Sequence, residues 1–336
     1  MPRTRQHVPI RILAIALIAA VLVAGCVGQA PAAPPREVKV VANDGLQLTS
    51  FTAEPASVDV GDTVIFTLEV ENVGGITATN VLARLLGTEG QWRELSPGNP
   101  LVEDSSKYIG SLAPPNPQFS QPGDFSVVTW MYKTPAIAPG LVYTADVAAE
   151  VLYNYNTTGA LVIKAIGDSF LRTEYIAKGR TPAGPAITNT NAPVKILVPE
   201  AQMNYYIRVE DKPESPAYQY KPVQFRLVNV GSGYPVTDGV PGAVIGRISV
   251  RGPGNPVFSD CLGQTNTPDV YIDTGSLGAD LARLRTSQGA VTISCTVRLD
   301  KDAFVLQDEQ IRLDFNLGYR YYIQRPVQVA ISSVGT

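Results

Sequence analysis

One pattern occurs twice along this chain and limits what it can fold into. Ala145, Val147, Ala149, Val151, Tyr153 and Tyr155 put an apolar or aromatic residue at every second position. Ile311, Leu313, Phe315, Leu317, Tyr319 and Tyr321 do the same at an offset of 166. Period two is the signature of a strand with one buried face, not of a helix. Leu161 and Ile163 are matched at that offset by Val327 and Val329. Earlier, Val64, Phe66, Leu68 and Val70 run into Asn72-Val73-Gly74, and Val223, Phe225 and Leu227 run into Asn229-Val230-Gly231, an offset of 157. The difference, 166 − 157, implies nine extra residues in the second copy, within an interval that also holds Cys261 and Cys295. Parity is kept throughout, as it must be where a one-residue slip would turn each apolar side chain to the wrong face.

These runs predict an all-β chain of two tandem immunoglobulin-like antiparallel β-sandwiches. The first is expected at 41–180 and the second, carrying the cysteines, at 194–336. Residues 181–193 lie in a stretch rich in Pro, Gly, Thr and Asn and read as a linker. Asn156–Gly159 reads as a turn between two alternating runs. Leu277–Arg285 alone has the spacing of a short helix.

The N-terminus predicts export. Arg3, Arg5 and Arg11 precede the uncharged apolar run Ile12–Ala24, too short for a membrane span of about 20 residues and suited to a signal peptide core. The run ends Leu22-Val23-Ala24-Gly25-Cys26, which resembles a lipobox. That resemblance implies cleavage after residue 25, lipidation of Cys26 and attachment to the outer face of a membrane or envelope. Residues 26–40, rich in Ala, Pro and Gly at their start, then serve as a tether.

Cleavage there removes His7, the single histidine. Serine–histidine and cysteine–histidine nucleophile pairs and histidine-held metals are then excluded. The full chain has 27 Lys and Arg against 30 Asp and Glu. Cleavage takes three arginines, leaving 24 − 30 = −6, a balance that offers nucleic acid no basic field. Two cysteines remain in an exported chain, and Cys261 and Cys295 are expected to form one disulfide.

A further resemblance lies in Ser57-Val-Asp-Val-Gly-Asp-Thr-Val-Ile-Phe-Thr-Leu-Glu-Val-Glu-Asn-Val-Gly-Gly with Thr79-Asn80-Val81. This stretch resembles the opening of CARDB-type and related immunoglobulin-like modules of prokaryotic surface proteins. The second copy matches through Val223–Gly233 but has Tyr218 and Tyr220 where the Gly-Asp pair would stand. The resemblance implies a binding or spacer module at the cell surface and transfers no catalytic residue.

Local chemistry is sparse. Val270-Tyr271-Ile272-Asp273-Thr274-Gly275-Ser276 has the form in which an aspartic protease presents one carboxylate, but that chemistry needs a second, and no second Asp-Thr-Gly exists in the sequence. The same residues end a strand in a turn. Asp59 with Asp62, Asp269 with Asp273, and Asp300 with Asp302 fit no calcium loop and read as solvated turns. No catalytic residue, metal ligand or cofactor is assigned. Tyr319 and Tyr321 are the candidate ligand contacts, with strand packing the competing role, and Asn156 in the sequon Asn156-Thr157-Thr158 is the candidate glycosylation site. The expected function is a non-enzymatic, lipid-anchored surface protein acting in adhesion, envelope architecture or ligand presentation, with a surface protein or glycan as partner. The alternatives are a filament or coat subunit that assembles by strand addition, using Val38 and Val40, and a carbohydrate-binding accessory module.

Overall fold

The computed structural model describes residues 41, 43–89, 92–95, 106–276, 284–304 and 308–333. The expected signal sequence, Cys26, the expected tether with Val38 and Val40, and all of the expected helix but its last two residues lie outside them. The first copy contributes β1 (Leu46–Glu54), β2 (Ser57–Asp59), β3 (Thr63–Asn72), β4 (Ala78–Leu86), β5 (Arg93–Glu94), β6 (Ser106–Leu112), β7 (Phe125–Lys133) and β8 (Val142–Gly167). After short helical turns over 168–178 come β9 (Ala186–Asn189), β10 (Val194–Leu197), β11 (Ile207–Val209), β12 (Tyr218–Asn229), β13 (Tyr234–Thr237) and β14 (Val240–Pro241). The chain closes with β15 (Ile245–Arg251), β16 (Val257–Cys261), β17 (Asp269–Asp273), β18 (Ala290–Asp300) and β19 (Asp308–Ser332). The fold is all-β, as the alternation predicts.

Two four-stranded sheets, β1-β3-β7-β5 and β10-β12-β18-β16, have equivalent orders, and both face one large shared sheet. The centre of that sheet is the antiparallel pair β8–β19, in register from Val142↔Ser332 to Ile166↔Asp308. The alternating runs are therefore the two longest strands of the molecule, and they pair with each other. Contact between the layers shows in the second half, where Phe225 of β12 meets Phe315 of β19 with ring centroids 4.9 Å apart.

These two strands are shared between the halves. The C-terminal part of β8 pairs with β9, in the segment between the copies, and with β11, an element of the second copy. The C-terminal part of β19 returns over the first copy, where Ala330–Ser332 pairs in parallel with β2. Each half is thus completed by a strand end from the other, and Ile323, Val329 and Ile331 are buried with the common core. The expected boundaries at 180 and 194 do not enclose the strands that close each core. Burial of the apolar face decides which strand lies alongside, and here β8 and β19, each inside its own expected bounds, pair with each other along their length.

Two further expectations are corrected. Asn156–Gly159 is not a turn: it continues β8, opposite Leu317, Gly318 and their neighbours on β19. Pairing along both edges outweighs the turn preference of Asn and Gly, with Thr157 and Thr158 favouring extended backbone. The segment 181–193 is not a bare linker, because β9 within it pairs with Gly159–Val162. The insertion in the second copy is also located. Thr79 pairs with Asn154 and Leu82 with Leu152, while their equivalents Val236 and Ile245 pair with Arg320 and Gly318. The offset rises from 236 − 79 = 157 to 245 − 82 = 163, so six of the nine extra residues form the β13–β14 hairpin and its exit.

Candidate functional site

The repeated Asn-x-Gly is explained by burial. Asn72 is fully buried and its amide donates to the carbonyls of Ile76 (2.9 Å) and Leu112 (2.7 Å), while its Oδ1 accepts from the Gly74 N–H (3.0 Å). Asn229 donates to Gly233 (2.7 Å), Leu284 (3.1 Å) and Thr286 (3.2 Å) and accepts from Gly231 (3.3 Å). One side chain satisfies a turn and the segment beside it, which hydrophobic residues cannot do.

The strand tyrosines meet at the centre of the molecule. The Tyr153 hydroxyl accepts from the Leu46 N–H (3.2 Å), and Tyr155 accepts from Gly75 (3.0 Å) and Ile76 (3.2 Å). Tyr319 shares a 2.8 Å hydrogen bond with Thr157, and Tyr321 donates to Asn229 Oδ1 (2.8 Å) and accepts from Gly233 (3.1 Å). Ring centroids lie 5.7 Å apart for Tyr153–Tyr155, 5.9 Å for Tyr153–Tyr321 and 6.2 Å for Tyr319–Tyr321. Tyr319 and Tyr321 are only 5% and 0% exposed, so they offer a ligand no surface, and the expected contact role gives way to packing. Burial pushes all four phenols above their ordinary range.

Cys261 and Cys295 are joined, with sulfurs 2.00 Å apart. They stand directly opposite each other on β16 and β18 and are buried, so the disulfide closes a loop that leaves one sheet, supplies β17 to the other, and returns. Asp273 ends β17: its carboxylate accepts from the Gly275 N–H (2.8 Å), and buried Thr274 accepts from Val244 (2.8 Å). That is a turn holding its own backbone. Asp59 accepts from Ser332 Oγ (2.5 Å), and Asp300 caps Asp302 at 3.0 Å. Asn156 is exposed on the outer face of β8, opposite Gly318, where a glycan would meet no opposing side chain.

The polar phase of the same strands builds a surface that the sequence reading passed over. Along β19 the outward positions are Arg312, Asp314, Asn316 and Arg320, alternating with buried Leu313, Phe315, Leu317 and Tyr319. Asn316 lies between Arg247 of β15 and Thr158 of β8, with Tyr271 of β17 beyond Arg247. Asp314 lies between Ser249 and Ala160, with Asp269 and Thr188 beyond them. The result is a five-stranded platform, β9-β8-β19-β15-β17, of hydroxyl, amide, guanidinium and carboxylate groups.

Arg312 Nε bonds Asp314 Oδ1 at 2.6 Å, Ser249 donates to Asp269, and Tyr271 is 55% exposed at the platform's rim. A depression of roughly 380 Å³ lies here, lined in part by Thr158, Gly159, Thr188, Arg312 and Asp314. Such a surface can hydrogen-bond a polar polymer and stack one ring against it. The signal was present in the sequence as the polar half of the alternation that identified the strand.

No family model matches the chain, and no curated protein matches it. Among solved structures, it is similar to the collagen adhesin (CNA) from S. aureus at 10% identity, with 88% of this chain and 95% of that chain covered and a TM-score of 0.14. It is similar to the collagen binding domain of Erysipelothrix rhusiopathiae surface protein RspB at 8% identity, covering 88% and 96%, TM-score 0.14. A β-porphyranase of glycoside hydrolase family 86 from Bacteroides plebeius follows at 10% identity, covering 84% and 37%, TM-score 0.12. The fold assignment above rests on the pairing topology itself.

Proposed function

We propose that this chain is an exported, non-enzymatic surface protein, held to a membrane through lipidated Cys26, whose interlocked sheet presents the platform around Asn316 for adhesion or ligand presentation. The carrying observation is the division of labour within β8 and β19. Their apolar phase is spent on the core, while their polar phase lines up with β15, β17 and β9 into one continuous outer surface. The CARDB-like opening, Gly61-Asp62 through Asn72-x-Gly74, and the lipobox-like end of the leader support the same reading.

A carbohydrate partner is the second reading. Arg247, Asp314, Asn316 and Thr158 are donors and acceptors suited to sugar hydroxyls, and Tyr271 offers a ring for stacking. Tyr319 and Tyr321 no longer enter it.

The test is retention of the full chain on surfaces coated with envelope polysaccharides or matrix proteins, compared with an Arg247→Ala, Arg312→Ala, Asn316→Ala variant. These outward changes leave stability within about 0.5 kcal/mol each. A retention loss of about tenfold or more supports the reading, and unchanged retention on each surface that binds the parent rejects the platform. Cells expressing Cys26→Ala should release the protein to the medium; continued membrane association without acylation rejects the anchor.

A further inference from the structure

The internal repeat supplies a control for the platform, because the same sheet face occurs once in each copy. In the first copy one row across it is Arg84 on β4, Glu150 on β8 and Gln324 on β19. The equivalent row in the second copy is Arg247 on β15, Asn316 on β19 and Thr158 on β8. Arg84 Nε donates to Glu150 Oε1 at 2.5 Å and Gln324 donates to Oε2 at 3.2 Å, so that guanidinium is neutralised within the sheet. Beside Arg247 an amide stands in place of the carboxylate. A second position changes in the same sense: Asp146, which accepts from Gln328 at 2.9 Å, is replaced at offset 166 by Arg312.

These exchanges leave two guanidiniums of the platform unmatched. Asp314 holds Arg312 at 2.6 Å with Arg251 at 4.0 Å, Asp269 accepts from Ser249, and Asp273 accepts from the Gly275 N–H of its own turn. Arg247 and Arg320 are both exposed, and among the described residues neither has a carboxylate partner. Arg320 lies on the outward phase of β19, four positions beyond Asn316, about 14 Å along the strand. Gly318 between them places no side chain on the surface. The chain as a whole has a net charge of −3, so the unmatched cations are a local property of this face.

We propose that the platform's ligand is a carboxylate-bearing polysaccharide, a uronate polymer, whose carboxylates pair with Arg247 and Arg320. This rests on the platform reading above and adds the charge of its ligand. A guanidinium fork matches a carboxylate bidentately, and Arg247 presents to an incoming ligand the fork that Arg84 commits to Glu150. The groups around the two cations favour a sugar backbone over an acidic peptide. Asn316, Thr158 and Thr188 offer amide and hydroxyl partners, and Tyr271 offers a ring face. The middle of the face, at Asn316 and Gly318, has no apolar anchor of the kind that protein partners bury.

The test measures binding of the full chain to polygalacturonate, to the same polymer fully methyl-esterified, and to poly-glutamate. The free acid should bind at least about tenfold more tightly than the ester, by a margin that shrinks with added salt. Asn316→Glu, which rebuilds around Arg247 the arrangement of the first copy, should bring binding of the acid down to the level of the ester at unchanged melting temperature, as should Arg247→Gln. Lys133→Gln, the same change of charge on β7, should leave binding as it was. Acid and ester bound equally, and both lost in the Arg247→Ala, Arg312→Ala, Asn316→Ala variant, would keep the platform and overturn the anionic ligand. An equal loss in Lys133→Gln, or no measurable binding of the free acid, would overturn it too. Tighter binding of poly-glutamate than of polygalacturonate would overturn it in favour of an acidic protein partner. Binding of the free acid that the triple variant retains would reject the platform itself, and the proposal with it.

Discussion

Asn154 stands opposite Arg320 in the central strand pair, and the two are also equivalent positions of the internal repeat, 166 residues apart. Pairs along β8–β19 satisfy i + j = 474, as in 145 + 329 and 163 + 311. The repeat satisfies j = i + 166, and both hold at 154 and 320 alone. A pseudo-two-fold axis therefore passes through this pair. It relates Tyr155 with its Ile76 bond to Tyr321 with its Gly233 bond, and Asn72 to Asn229. Duplication did not produce two beads on a string; the copies closed on each other through the strand that each had in common.

Truncation tests that closure. Residues 41–180 expressed alone lose Ile323, Val329 and Ile331, and leave Leu161, Ile163 and Ala165 of β8 without the second copy's cover. Each lost large aliphatic side chain is worth about 1.5–3 kcal/mol of burial, so three approach the whole stability of a domain, about 5–15 kcal/mol. The fragment should give no sharp thermal transition and no dispersed amide spectrum, and mixing it with 181–336 should restore both.

The axis also predicts matched mutational effects. Tyr155→Phe strips the Gly75 and Ile76 N–H groups of their acceptor, and Tyr321→Phe strips Gly233 of its acceptor and Asn229 of its donor. Each should cost about 1–3 kcal/mol in urea unfolding, the usual penalty for polar groups left unpaired inside a protein. Tyr143→Phe, at an exposed ring, should cost under about 0.5 kcal/mol.

Alkaline pH should unfold the protein through the same residues. Burial favours the neutral phenols of Tyr153, Tyr155, Tyr319 and Tyr321, and raises Tyr205 to about 12. In the unfolded chain these groups titrate near pH 10. A folded pKa above the unfolded one gives stability that is complete below about pH 10 and is lost as pH rises from there. Phenolate absorbance from these tyrosines should appear together with loss of sheet signal.

Reduction of Cys261–Cys295 should lower stability by about 3–4 kcal/mol, the chain-entropy value for a loop of 34 positions. Cys295→Ala with Cys261→Ala should match the reduced protein. The difference should be read in denaturant midpoints, with β17 exchanging faster because it lies within the released loop.

Much of this architecture was legible in one dimension. Alternation at period two identified the strands, its recurrence at 166 identified the duplication, and two cysteines in an otherwise cysteine-free folded region identified the cross-link. Both phases were available: the apolar one marked the core, and the polar one, Arg312, Asp314 and Asn316, marked the platform. What periodicity states is which face of a strand is buried. It does not state which strand lies alongside, because every alternating run is compatible with every other. The partner of Ile311 is Ile163 and not a neighbour in its own copy; that Asn156–Gly159 runs straight on and that 186–189 becomes an edge strand follow from this choice. Only three-dimensional packing makes it, since the apolar area of each half is covered completely only when the long strands cross.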